Sequence, residues 1–307
     1  LGLKVIRLLA IDSKMVNLAI LKIAQYHINL GDNVNWYEPL FDQICDILYI
    51  SKIFTFSDDI NYLPQAQIIK GGTGYDVHSQ LPIEIENITN INDAYELLYP
   101  KMKYSIIFTT RGCVRNCDFC LVRKKEGLTH DVPITSLHPN SEFIEVLDNN
   151  FFSSSTWHNR INYLKSLDLP LNFNTGIDVR TITEEQANEL SKCKLKMIHI
   201  AWDYIGHEKM VRAGIERLLK YVSSNKVTCY VLVGFTNKLI IKEDVYRVLE
   251  LHKYKIRPFA MGYIDFYNKK DERTDEVKWF QRWVNRFYYK NVSWENYNYK
   301  EKSLLKS

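Results

Sequence analysis

From Tyr104 onwards the chain alternates between short apolar runs and longer amphipathic ones, and that rhythm limits the folds open to it. The apolar runs are YSIIFTT, EFIEVLD, LNFNTGI, KMIHIAWD, VTCYVLVG and PFAMGYI. Their length and their β-branched and aromatic content are those of buried strands. Between them, Trp157 to Leu167, Thr183 to Lys192, His207 to Val222 and Lys242 to His252 carry helical spacing. Strands separated by helices pair in parallel, through crossover connections. Six such strands in about 160 residues predict a parallel (β/α)6 barrel or part of one.

A smaller α/β unit precedes them. LKVIRLLAID reads as a buried strand ending at Asp12. NLAILKIAQYHINLGD follows with Leu18, Leu21, Ile23 (or Ala24) and Ile28 at helical intervals and Gly31 as the stop. VNWYE and DILYIS read as further strands, and QIIKGGTGYD sets Gly71, Gly72 and Gly74 after another. Leu81 to Lys103 reads as a connector, polar and of broken periodicity. The predicted organisation is a Rossmann-like unit with its connector over residues 1–98, the partial barrel over 99–268 and a tail over 269–307.

Composition narrows the functional class. The apolar stretches, such as Ser105 to Thr109 and Val227 to Val233, are too short to span a bilayer, and no secretory signal opens the sequence. The expectation is a cytoplasmic protein without membrane contact. A net charge of +4 permits a nucleic-acid partner without arguing for one. Six cysteines in 307 residues are too few for a disulfide scaffold. Three of them, Cys45, Cys193 and Cys229, are scattered, and Cys193 and Cys229 read as core residues.

The other three fall within eight residues. TTRGCVRNCDFCLVRKKEG carries Cys113, Cys117 and Cys120 as C-x3-C-x2-C, with Phe119 before the last. In the predicted barrel this loop follows the first strand, at the end where loops converge on one mouth. Three thiolates on one short loop can hold three corners of an iron–sulfur cube and leave one iron open. A structural zinc site needs a fourth ligand, which His130 or His138 would have to supply. VRKKEG, after the cysteines, reads as a solvated loop, with contact to an acidic substrate as the alternative.

The cysteine spacing, the aromatic residue before Cys120 and the six-strand pattern together resemble the radical S-adenosylmethionine (SAM) superfamily, over about Tyr104 to Tyr263. The resemblance implies a [4Fe-4S] cluster on Cys113, Cys117 and Cys120, with SAM chelated to the open iron. It implies reductive cleavage of SAM to methionine and a 5′-deoxyadenosyl radical that abstracts hydrogen from a substrate. A low-potential electron donor such as a flavodoxin or ferredoxin goes with that chemistry. The substrate stays open among nucleic acid, peptide and small molecule, and no catalytic side chain is assigned.

The same resemblance carries further residues. EVLDNNFF resembles the family's second-strand segment and offers Asp148, Asn149 and Asn150 to SAM's polar groups. GIDVR resembles the run after strand three; Asp178 and Arg180 share one side of it, and Arg180 is the expected partner of the SAM carboxylate, with a structural salt bridge as the alternative. Asp203 in HIAWD is placed near the ribose hydroxyls, or else caps the next helix. YVLVGF resembles the adenine-packing segment and adds Gly234.

The first 75 or so residues resemble the cobalamin-binding domain that precedes the barrel in one subgroup. The cobalt-ligating pattern D-x-H-x-x-G is missing, because Ser13, Lys14 and Met15 follow Asp12. Cobalamin is therefore not favoured, and the unit reads as a relic or a substrate-facing domain. The alternatives to the main reading are a cobalamin-dependent radical SAM methyltransferase and, in a different class, a non-enzymatic protein with a structural metal. In the tail, Trp279, Trp283 and Phe287 lie four residues apart, predicting one helix face packed on the barrel. The alternative is nucleic-acid contact, with these aromatic residues stacking on bases and the interleaved Lys278, Arg282, Arg286 and Lys290 pairing with phosphates.

Overall fold

The computed structural model describes residues 2–297 apart from Lys14, Asn237 and Lys269. Lys14 of the Asp12 segment and the last part of the tail, residues 298–307, thus lie outside the described residues. The protein is mixed α/β with parallel sheets. Its contacts form two compact units. One comprises the chain to Asn116, Cys120–Asp148 and Phe266–Lys270; the other comprises Cys117–Phe119, Asn149–Asp265 and the chain from Asp271. Compactness thus cuts the chain at places other than residues 98 and 268.

The first unit holds β1 (Val5–Ala10), α1 (Leu18–Asn29), β2 (Asn33–Trp36), β3 (Ile44–Ser51) and β4 (Gln65–Gly71), in sheet order β2-β1-β3-β4, all parallel. Asn17 caps α1, its Oδ1 accepting from Ile20 N–H at 3.2 Å. The helix ends where expected, at a left-handed Gly31 with φ +82°. The segment read as a connector contains α2 (Ile83–Glu86) and α3 (Asn92–Leu98). Their Ile85, Ala94, Tyr95 and Leu98 join Ile6, Leu8, Leu21 and Ala24 in one apolar core. It is a packed layer, not a linker. Local polarity concealed this, because only one face of each short helix is apolar.

The glycine turn after β4 serves packing. A Cβ on Gly72 would lie 2.4 Å from Lys52 O, and one on Gly74 2.8 Å from Phe54 O. At the end of β1 the Asp12 carboxylate accepts from Phe54 N–H and Ser57 Oγ, both at 2.8 Å, and so braces the same segment. The unit continues with β5 (Tyr104–Ile107), β6 (Thr110–Arg111), α4 (Val122–Glu126), β7 (His130–Asp131) and β8 (Phe143–Val146). β5 pairs with β8 in parallel and β6 with β7 antiparallel.

The second unit holds α5 (Trp157–Ser166), β9 (Leu171–Phe173), α6 (Glu184–Ser191), β10 (Leu195–Ala201), α7 (Glu208–Leu219), β11 (Val227–Val233), α8 (Lys242–Lys253), β12 (Arg257–Gly262) and α9 (Asp275–Asn285). β9 to β12 pair in parallel in chain order. All the strands and helices expected here occur. Thr183 begins α6 through a capping box with Gln186. α9 packs on β12, where Asn285 Oδ1 accepts from Ala260 N–H at 2.8 Å. The tail helix exists, but its buried face is Val277, Phe280, Trp283 and Val284, not the Trp279–Trp283–Phe287 seam. Phe287 lies past the helix end at φ +63°, which breaks the periodicity.

Arg247 of α8 fastens the strand ends. Buried beside Asp244, it donates to the carbonyls of Trp202 and, at 2.8 Å, Leu232, at the ends of β10 and β11. Replacing it by Met would strand a buried carboxylate and two carbonyls. Arg247→Met should therefore cost about 3 kcal/mol or more in urea unfolding at neutral pH. An unchanged midpoint would show that the strand ends do not depend on this side chain.

Candidate functional site

The cysteine loop starts from a buried carboxylate. Asp148, two residues past the end of β8, is 0% exposed. It accepts four hydrogen bonds from two consecutive residues: Thr109 N–H at 2.7 Å and Oγ1 at 2.5 Å, Thr110 N–H at 2.9 Å and Oγ1 at 2.7 Å. Burial still pushes its pKa above the usual carboxylate value, against those bonds. β6 and β7 form the stem. Glu126 ties one side of it to the other, accepting from Arg111 Nη1 at 2.9 Å and from Gly112 N–H at 3.0 Å. Gly112 has φ +77°, and a Cβ there would lie 2.3 Å from Leu128 O. Only glycine fits this crossing. Cys113 N–H then donates to Gly127 O at 3.1 Å, and Arg123 Nη1 to Cys113 O at 3.1 Å.

All three loop cysteines are half-buried, while Cys45, Cys193 and Cys229 are buried. Burial pushes the Cys193 thiol up to about 11 and the Cys229 thiol well above its ordinary value, so these two stay protonated core groups. Among the described residues no group of three or more His, Cys, Asp or Glu side chains converges to metal-binding distance. The imidazoles read as alternative zinc ligands are otherwise placed. His138 is buried; its Nε2 lies 3.2 Å from Tyr99 O, and its Nδ1 accepts from Asn140 N–H at 3.0 Å. His130 is exposed, with Nδ1 2.9 Å from Leu128 O.

In the second unit, Phe119 meets Phe235 edge-on at 5.8 Å. Arg180 is gripped by Asp178 through Nε at 2.7 Å and Nη2 at 3.0 Å, and its Nη1 faces His207 Nδ1 at 3.4 Å. Burial opposes its charge, but the bonds and charge of Asp178, helped by Cys117 and Asp203, hold its pKa above the ordinary value. The salt bridge read as an alternative is therefore present. Asp203 does not cap α7, whose N-terminal flanking residue is His207. Desolvation pushes its carboxyl up to about 6, against the pull of Arg247 and Arg180. Asn150 is buried and bridges to Gly176, whereas Asn149 is half-buried. The trio read as one SAM-facing run is thus divided: Asp148 belongs to the first unit, Asn149 and Asn150 to the second. Gly234 has φ +72°, and a Cβ on it would press on Val277 at 2.9 Å.

One pair escaped the sequence reading. Ile198 and Ile200 of β10 are buried, so by alternation His199 lies on the other face of the sheet. There it stacks on Tyr230 with centroids 5.1 Å apart and 15° between planes. His199 Nδ1 lies 2.8 Å from Phe173 O, Tyr230 donates to Asn174 O at 3.1 Å, and burial lowers the imidazole pKa. A neutral ring with Nδ1 protonated leaves Nε2 as an acceptor on that face. The period-two alternation of KMIHIAWD carried the signal. The basic run after the cysteines forms α4, and Lys125 in it is half-buried, not solvated.

No family model matches the chain, and no curated protein matches it.

Asp203 generates a pH prediction. A carboxyl whose pKa rises from 3.8 to about 6 on folding binds its proton more tightly in the folded state. Its ionisation therefore destabilises the fold progressively as pH rises through that window. Asp203→Asn should equal wild type in stability below pH 3.8 and exceed it by about 1–2 kcal/mol at neutral pH. Urea titrations across the window test this, and a difference that does not vary with pH would remove Asp203 from the account.

Proposed function

We propose that the chain is a radical SAM enzyme with a partial parallel barrel, in which Cys113, Cys117 and Cys120 hold a [4Fe-4S] cluster. The carrying observation is the cysteine loop: three half-buried thiols within eight residues, on a stem tied at both ends. Three cysteine thiolates are the donors such a cluster takes and leave one iron open; among the described residues the three thiols do not converge, so binding a cluster would have to gather them. Such a cluster with SAM supplies one-electron cleavage of the sulfonium C–S bond and a 5′-deoxyadenosyl radical for hydrogen abstraction.

The chain's own groups bind and orient. Asp148 and Glu126 fix where the loop leaves and rejoins the stem. Asp178 holds the Arg180 guanidinium as a preset cation for the SAM carboxylate. Asp203, Asn149, Asn150 and Gly234 complete the proposed SAM contacts. A cytoplasmic flavodoxin- or ferredoxin-like donor would deliver the electron.

Anaerobic reconstitution should load about four irons per chain. Cys113→Ala, Cys117→Ala or Cys120→Ala should each abolish the visible chromophore, and the same change at Cys45, Cys193 or Cys229 should not. Full iron loading after all three loop cysteines are replaced would overturn the proposal. Separately, Arg180→Ala should weaken SAM binding by roughly 1.5–3 kcal/mol in calorimetry, as loss of a charge-assisted bond does. An unaltered affinity would leave Arg180 with the Asp178 bridge alone.

A further inference from the structure

A cavity of about 690 Å³ opens in the first unit beside α1, the C-terminal ends of β3 and β4 and the stem of the cysteine loop. Its size is that of small-molecule sites, roughly 300–1,000 Å³. Part of its wall is apolar, from Leu18, Ala19 and Ile23 of α1 and Ile83 of α2. The charged groups on the rest are mostly paired within the fold. Lys22 pairs with Glu86 at 2.9 Å, Arg111 with Glu126 at 2.9 Å and Lys70 with Asp59 at 3.0 Å.

Lys125 differs. It lines the cavity from α4, its ammonium donates to the Thr73 hydroxyl, and among the described residues it makes no ion pair. Neighbouring Glu126 bonds Arg111 and the Gly112 amide instead. Burial lowers the Lys125 pKa; the Glu126 charge opposes the fall from beyond ion-pair distance, so no contacting counter-ion replaces the lost water. An arriving anion would supply one.

We infer that this cavity binds a small amphipathic monoanion, with its anionic head on Lys125 and its apolar body against α1. The inference is independent of any metal chemistry on the neighbouring loop, and its test needs neither iron, reductant nor SAM. The probes are 1-anilinonaphthalene-8-sulfonate and its uncharged counterpart N-phenyl-1-naphthylamine, titrated by fluorescence into the full chain. The sulfonate should bind saturably at one site, about tenfold tighter than the amine. Lys125→Met should remove that advantage without weakening the amine, and Lys125→Arg should keep it. Ala19→Trp, which fills the apolar wall, should abolish binding of both; circular dichroism confirms folding of each variant. If neither probe saturates, if both bind equally, or if folded Lys125→Met binds the sulfonate as tightly as wild type, the inference is wrong.

Discussion

The Asp148 carboxylate is the constraint on which the site depends. A buried carboxylate is tolerated only when its oxygens are hydrogen-bonded, and here two consecutive threonines donate both amides and both hydroxyls. Those donors lie just past β5, and the acceptor lies just past β8. The bonds therefore lock together the ends of two paired strands at the point where the cysteine loop departs. Gly112 then makes a crossing that no other residue could make. Glu126 draws the returning chain against Arg111 and Gly112. The ends of the loop are thereby fixed by the fold.

Much of this architecture was legible. Apolar runs of strand length gave β8 to β12, because strands covered by helices leave a nearly continuous hydrophobic signature. Gly31 marked the end of α1 because a left-handed terminus needs glycine. What failed to show depended on distant parts of the chain. Ile85 and Tyr95 became core only because α1 offers them an apolar face. Phe287 continued a helical repeat in sequence, yet the helix had already ended before it. Asp203 has the composition of a cap, but its surroundings of Arg180, Asp178 and Arg247 come from two other segments of the chain.

The candidate site was legible in its residue types and less so in their partners. Cys113, Cys117 and Cys120 announce themselves by spacing, which is local. The bidentate hold of Asp178 on Arg180 forms within one turn, not along the extended segment the sequence suggested, and is also local. His199 and Tyr230 form a stacked pair only because β10 and β11 pair in the register His199 with Thr228. Lys125 sits in a run of basic residues that reads as solvated, and only the fold shows it lining a cavity. Residues whose role depends on sheet register or on a cavity wall leave little trace in sequence, whereas ligand spacing on one loop leaves a strong one.

The central claim is that three thiols on this loop hold an iron–sulfur cluster with one position open to SAM. Electron paramagnetic resonance of the reconstituted, dithionite-reduced protein, recorded before and after adding SAM, tests it most directly. The account predicts a reduced [4Fe-4S] signal whose line shape changes when SAM binds. A reduced-cluster signal indifferent to SAM, or protein that takes up zinc and gives no such signal, would contradict it.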